Sequence, residues 1–247
     1  ITVDRLMIIK YFTLADLGQY QLGKTMAYGV LMSLDAVLFI FYPKILKYLH
    51  VNDDKKKNNS NRSSDLIKIT NYLDVLVMPL ILIGIIFLPL LINYALPNYS
   101  ASIYITKILL LGYGFQNLTY TPSSFLVAND QQKKLSPIII LSLLFMFLGN
   151  YSAIKLGYGI DGIVIATSLI YLIYSSLVFI ACFHHLNEKI IKNTITVIWK
   201  RSSFFLITLI VINYNYNIFL LIAIYLIIYG YASLKSFGEL KHKFFIN

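Results

Sequence analysis

An all-α, polytopic membrane helix bundle is the fold class this sequence predicts, on three observations. The 247 residues are 58% hydrophobic and only 13% charged, against the about 25% of an average soluble domain. Mean hydropathy is +0.70. The apolar residues gather in long runs, most of them near the about 20 residues a helix needs to cross a bilayer, with polar, Gly-containing or Pro-containing breaks between them. So few charges could not cover a soluble particle, so lipid must be the solvent for much of the surface. The single cysteine, Cys182, excludes an intramolecular disulfide framework and any cysteine-rich metal site.

The elements follow from the runs. Residues 1–12 read as the tail of one span. The chain opens inside that element without an initiator Met, so the N-terminal part of a longer protein is expected before it. The next spans are 18–42, 66–94, 103–128, 137–154, 160–183, 204–212 with some preceding residues, and 218–234. The breaks ADLGQ, ALPNYS, NDQQKK, KLGYGIDG and NYNYN carry turn chemistry. Pro79 and Pro89 can kink the third span. The one long gap, KYLHVNDDKKKNNSNRSSD, is expected as a solvated, mobile loop.

The basic residues orient the bundle. Lys44, Lys47, Lys55, Lys56, Lys57, Arg62 and Lys68 fall around the long gap, and Lys133 and Lys134 mark the second connection after it. Lys189, Lys192, Lys200 and Arg201 mark the fourth, and Lys235, Lys241 and Lys243 the tail. Alternate connections hold only Lys107 and Lys155. This alternation follows the positive-inside rule, so the rich connections and the C-terminus are expected in the cytoplasm, with the chain crossing the membrane several times. The net charge of +10 is thereby explained by topology, and no nucleic-acid partner is expected.

Charges that lipid penalises are the candidate functional residues. Asp4, Arg5 and Lys10 lie in the first span, towards its outer half. A charge deep in lipid costs at least about 2.5 to 3.5 kcal/mol and usually faces a bundle interior or a wet cavity. The plainer reading has Lys10 snorkelling to the interface and Asp4 pairing with Arg5. In the second span Gln21, Lys24, Tyr28 and Asp35 form one narrow stripe. Lys24 and Asp35 are three turns apart, about 16 Å, so each needs another partner or water. The stripe lines an aqueous cavity, or Asp35 pairs with a basic group on a neighbouring helix for structure alone.

Further along, Lys68, Asn71, Tyr72 and Asp74 oppose Leu66, Ile69, Leu73 and Leu76, which reads as an amphipathic extension at the cytoplasmic surface. The fourth span presents Tyr113, Gln116, Asn117, Tyr120 and Ser124 on one face, followed through by Pro122. Amides and phenols suit sugar hydroxyls and ring faces; they suit interhelical hydrogen bonds equally. Enzyme signatures are absent. His184 and His185 are adjacent rather than four apart, a poor metal pair. There is no phosphate-cradling Gly-rich loop. No enzymatic activity, cofactor or metal is expected.

Two stretches carry a family resemblance. DRLMIIKYFTLADLGQYQLG, followed a span later by FYPKIL, resembles the start of the second half of polysaccharide-unit flippases. These are the Wzx-type O-antigen and capsular exporters of the oligosaccharidyl-lipid branch of the MATE-like superfamily. The matching positions are Asp4, Arg5, Leu17, Gly18, Tyr20 and Pro43. The stretch LGNYSAIKLGYGIDGIVIATSLIYL is similar to a second family pattern at Asn150, Gly159, Gly162, Ala166 and Thr167. The resemblance covers about residues 1–183 and departs at Asp35, which has no counterpart in the pattern. It implies two six-helix lobes around a central cavity. Residues 1–183 would be the C-terminal transporter lobe, its first helix truncated, and 184–247 two additional membrane helices and a cytoplasmic tail.

The implied substrate is an undecaprenyl-diphosphate oligosaccharide, moved across the inner membrane for surface polysaccharide synthesis. The implied partners are this lipid-linked oligosaccharide, membrane lipid and the N-terminal half of the same protein. Arg5 and Lys24 would be cationic hosts for the diphosphate, with Asp4 orienting Arg5. A multidrug or cation exporter of the same superfamily is the rival that Asp35 keeps open. A membrane-embedded polymerase or ligase of the sugar pathway would be expected to bring a long outward loop with basic catalytic residues.

Overall fold

The computed structural model describes residues 3–51, 59–186, 189–213, 222–223 and 225–230. Every element among them is helical. Helix α1 spans Val3–Tyr11, α2 Leu14–Val51, α3 Asn59–Ala95, α4 Ser102–Leu118, α5 Tyr120–Ala128, α6 Leu135–Lys155, α7 Gly159–His185 and α8 Ile190–Asn213. A π-helical turn follows at Leu226–Gly230. The remainder of the expected last span and the C-terminal tail lie outside the described residues.

Local chemistry sets the ends, and it moves two of them. The first break falls at Phe12 and Thr13 rather than in ADLGQ, which forms the opening turns of α2. The reason is a reciprocal cap. The Asp16 carboxylate accepts from the Thr13 backbone N–H at 3.1 Å and from its hydroxyl at 2.8 Å, while the Asp16 N–H reaches back to Thr13 Oγ1 at 3.2 Å. The expected fourth span is two helices. Pro122 has no N–H to offer the Leu118 carbonyl, and its ring crowds that carbonyl; the chain tightens at Thr119, whose N–H bonds Gln116 O at 3.2 Å. Pro79 and Pro89, by contrast, sit inside an uninterrupted α3. At the α6–α7 turn Gly157 and Gly159 have φ of +77° and +63°, a backbone that side-chain-bearing residues adopt only with strain. The long gap is shorter than expected, because α2 runs on to Val51 and α3 begins at Asn59.

Helix α4 is the central post, packed on one side by α2, on another by α7 and along a third by α3. Two glycines allow this. A Cβ on Gly23 would lie 2.7 Å from Ile105 Cγ2 and 3.0 Å from the Ser102 carbonyl, so α2 meets α4 backbone to backbone. A Cβ on Gly112 would lie 3.0 Å from Ser168 Cα, which brings α7 equally close. Ser168 Oγ then donates to the Ile108 carbonyl at 3.0 Å. Small residues at such crossings are how helices associate where lipid supplies no hydrophobic drive.

Cross-links define two ends. At one, Gln19 donates to the Asn98 carbonyl at 3.0 Å and accepts from the Ser102 N–H at 3.1 Å, and Tyr104 reaches Asn213 at 3.4 Å. At the other, which is rich in lysine, Asn193 donates to Ser63 at 2.9 Å and Phe125 packs on His185 with ring centroids 6.4 Å apart.

Among the described residues, four helical stretches are long and apolar enough to cross a membrane: Arg62–Ala95, Gln132–Lys155, Gly159–His185 and Ile190–Asn213. Only 17% of the apolar window in Gln132–Lys155 is buried by protein. Ile140, Leu144, Phe147 and Leu148 all point outward there. So large an exposed apolar surface is unsustainable in water. The protein is a membrane-embedded helix bundle.

Replacing Gly112 with Ala is expected to destabilise the bundle by about 1 to 3 kcal/mol, because the α4–α7 contact has no room for a methyl group. At Gly18 a Cβ meets only a Tyr99 ring carbon at 3.8 Å, so Gly18→Ala is expected to stabilise by about 0.5 to 1 kcal/mol. Thermal unfolding in detergent reads both. A Gly112→Ala protein melting at or above wild type defeats the close-packing account.

Candidate functional site

Two consecutive residues of α1 dock onto two helical pairs of α2. Tyr20 and Lys24 are one turn apart, as are Gln21 and Thr25, so both pairs face α1 side by side. Asp4 is 2% exposed. One of its oxygens, Oδ2, accepts from Lys24 Nζ at 2.6 Å and from the Tyr20 hydroxyl. Lys24 Nζ also stands 5.6 Å from the centroid of the fully buried Tyr20 ring. Asp4 Oδ1 is buried without a hydrogen-bond partner among the described residues. Next door, Arg5 Nε donates to Gln21 Oε1 at 2.6 Å, and Gln21 donates on to Thr25 Oγ1 at 3.1 Å. Asp4 therefore pairs with Lys24, on the neighbouring helix, and not with Arg5. The Arg5 hydrogen bond goes to a neutral amide.

From this cluster a row of phenols crosses the bundle. Tyr113 on α4 meets Tyr28 of α2 edge-on at 6.3 Å and Tyr171 of α7 at 5.7 Å. Tyr171 in turn lines a cavity of about 200 Å³ between α4, α6 and α7, with Gln116, Ser142, Met146 and Tyr174 among its walls. The structure thus joins Asp4 to Lys24 and Arg5 to Gln21, and connects Tyr28 with Gln116 through Tyr113, Tyr171 and the cavity that Tyr171 lines. Asn117 is buried beside Gln116, and Tyr120 stands half-buried beyond the break at Thr119.

Asp35 lies apart. It is exposed, on the face of α2 that also exposes Tyr28, Met32 and Phe39, and has no hydrogen-bond or ion-pair partner among the described residues. Its depth can be read across the bundle. A Cβ on Gly84 would lie 3.4 Å from Val30 Cγ2, so Val30 is level with the middle of the apolar stretch 75–92 of α3. Asp35 is five residues further, about 7.5 Å along the axis. That is inside the about 15 Å half-thickness of a hydrocarbon core.

Three features were missed by the sequence reading. Asp74 is buried, not part of a surface extension: Arg201 donates to it and to the Gly114 carbonyl, and the two side chains are 5% and 3% exposed. The available signal was register. Asp74 shares a helical face with Thr70, Met78 and Ile81, and Arg201 with Ile198, Phe205 and Thr208, all of them buried. Tyr171 was not singled out either. Asn150 and Thr167, taken only as pattern positions, are both fully buried, and their side-chain polar atoms have no partner among the described residues. Also among the described residues, no three His, Cys, Asp or Glu converge on one point. No family model, curated protein or solved structure matches the chain.

Asp4 and Lys24 are expected to be strongly coupled. Lys24→Met should destabilise by roughly 3 to 5 kcal/mol, because it removes the cation that answers the buried Asp4 carboxylate; Asp4→Ala should cost less, since Lys24 is partly exposed. The double variant should recover much of that loss. A double-mutant cycle on unfolding measures the coupling; additive losses would mean the two charges do not sense each other.

Proposed function

We propose that this chain is one lobe of a transporter that moves undecaprenyl-diphosphate-linked oligosaccharide units across the bacterial inner membrane. The observation that carries the reading is Asp35 on α2. A carboxylate exposed at hydrocarbon depth, two turns from exposed Tyr28, is costly against lipid, by about 2.5 to 3.5 kcal/mol, and tolerable against water or protein. This favours an aqueous cavity on that side, closed by further protein. Polar walls of phenol and amide suit sugars. The flippase-like motif at Asp4, Arg5, Gly18 and Tyr20 supports the same class.

The geometry refines the roles. Asp4 answers the charge of Lys24, so Lys24 is a poor host for phosphate. Arg5, half-buried and bonded only to neutral Gln21 among the described residues, keeps its charge for an anion. Its planar guanidinium can hold phosphate oxygens bidentately, which lysine cannot. Export would follow rocking of one lobe against the other around the site. A second reading, a cation exporter of the same architecture, is favoured by one observation, the exposed Asp35 carboxylate.

Arg5→Ala in the full-length protein should lose most transport and weaken binding of lipid-linked oligosaccharide, while Arg5→Lys keeps part of both. Unchanged binding by a folded Arg5→Ala protein would make Arg5 structural. Asp35→Asn tests the second reading: cation efflux that is lost in the variant, by a protein whose wild type moves no lipid-linked oligosaccharide, supports it over the first.

Orientation has its own test. The reading puts the lysine-rich end in the cytoplasm. Single cysteines at the exposed positions Ser100 and Gln132, with buried Cys182 replaced by Ala, report it through an impermeant thiol reagent in spheroplasts. Ser100 should label in intact cells and Gln132 only after permeabilisation; the reverse pattern inverts the topology.

A further inference from the structure

A second cavity lies outside the Asp4–Lys24 cluster. Helices α7 and α8 diverge to leave a groove of about 340 Å³, lined by Ser176 and Ile180 on α7 and by Ile191, Ile195, Trp199 and Ser202 among the α8 residues. The α8 residues recur every three or four positions, so they form one continuous stripe. The wall is carbon: Ser176 Oγ and Thr194 Oγ1 turn back onto their own helix, donating to Leu172 O and Ile190 O at 2.8 Å each.

The groove's height is what singles it out. Arg201 pairs with Asp74, the residue just before the apolar stretch 75–92 of α3, so Arg201 stands at the hydrocarbon boundary. Trp199 is two residues away, at the depth tryptophan prefers. Ile195 and Ile191 stand about 6 and 12 Å further out, at headgroup depth. Yet Ile191 is 74% exposed and Ile195 59%. In the other direction Ser202 and Ser176 carry the groove below the boundary. An apolar slot that straddles the interface fits neither bulk hydrocarbon nor water. It fits an amphiphile.

Charge chooses which one. Helix α8 contains Lys192, Lys200 and Arg201 and no acidic residue. Arg201 is committed to Asp74, but Lys189 and Lys192 are exposed at the outer mouth. Lys192 lies two turns before Trp199 on the same flank of the helix. We infer that this groove binds an anionic phospholipid, its glycerol and upper acyl chain laid along Trp199, Ile180 and Ser202, and its phosphate held by Lys189 and Lys192.

Trp199 is the only tryptophan of the chain, so its fluorescence reports the groove directly. The protein is reconstituted in phosphatidylcholine vesicles containing increasing phosphatidylglycerol, with one or the other lipid carrying dibrominated acyl chains that quench tryptophan. Quenching should favour the anionic lipid over phosphatidylcholine by about 30-fold, the effect of two lysines at about 1 kcal/mol each near a membrane surface. The double substitution Lys189→Gln, Lys192→Gln should bring the preference to about one with helix content unchanged. Ser202→Phe, which fills the slot, should reduce quenching by both lipids. Quenching that follows mole fraction alone in the wild type overturns the inference, as does a preference that survives loss of both lysines. A Trp199 that neither brominated lipid reaches also overturns it, because the groove is then covered by protein.

Discussion

The Asp4–Lys24 ion pair ties the first helix to the rest of the bundle, and its existence follows from the solvent. In water a broken surface pair is rehydrated at little cost. Inside a bundle surrounded by lipid there is no such refuge, so a charge must be answered by protein or by a wet cavity. Asp4 anchors α1, gripping Lys24 and Tyr20 on α2 at once. The same device recurs at the lysine-rich end, where Arg201 of α8 is clamped to Asp74 of α3 and to the Gly114 carbonyl of α4. The first helix and the last long one are thus each fastened to the central α2–α3–α4 group by one buried ion pair. Gly23 and Gly112 hold the interior of that group and its α7 neighbour by close backbone contact instead.

The helical spans were legible because hydrophobic run length and turn chemistry both report on the bilayer. Gly157 and Gly159 of KLGYGIDG do sit at the left-handed positions of a turn, and NDQQKK does separate two helices. Where the reading failed, a short-range signal outweighed composition. ADLGQ looks like a turn by its residues, but Thr13 and Asp16 form a capping pair that starts the helix earlier. Pro122 was seen inside the fourth span, but its effect on the Leu118 carbonyl, four residues upstream, sets where that span breaks. Asp74 was grouped with its polar sequence neighbours, though its helical register belongs with Met78 and Ile81. Pairing between distant elements, such as Asp74 with Arg201 across 127 positions, leaves no mark in a single sequence beyond two charges that need an explanation.

The candidate site shows the same division. Penalised charges in the first two spans could be picked out one by one. Their partners could not, and the partners change their meaning. Lys24 with Asp4 is a neutral unit, whereas Arg5 with Gln21 remains a cation. Asp35 was read as a group in need of a partner or water, and no partner stands against it in the described residues. The phenol row through Tyr113 and Tyr171 joins three helices and was invisible in any one of them.

Helices α2 and α3 are longer than any bilayer requires. At 38 and 37 residues each is about 56 Å long, against a hydrocarbon core of about 30 Å. With Val30 at mid-depth, the backbone of α2 reaches Val51 about 32 Å from the midplane, some 17 Å beyond the hydrocarbon and well past the polar headgroups. The screening length at physiological salt is about 8 Å. The outermost turns therefore stand where the electric field of the lipid surface has largely decayed. A helical pair of this length works as a stand-off: it carries chain out of the lipid's electrostatic reach while its roots stay fixed by packing.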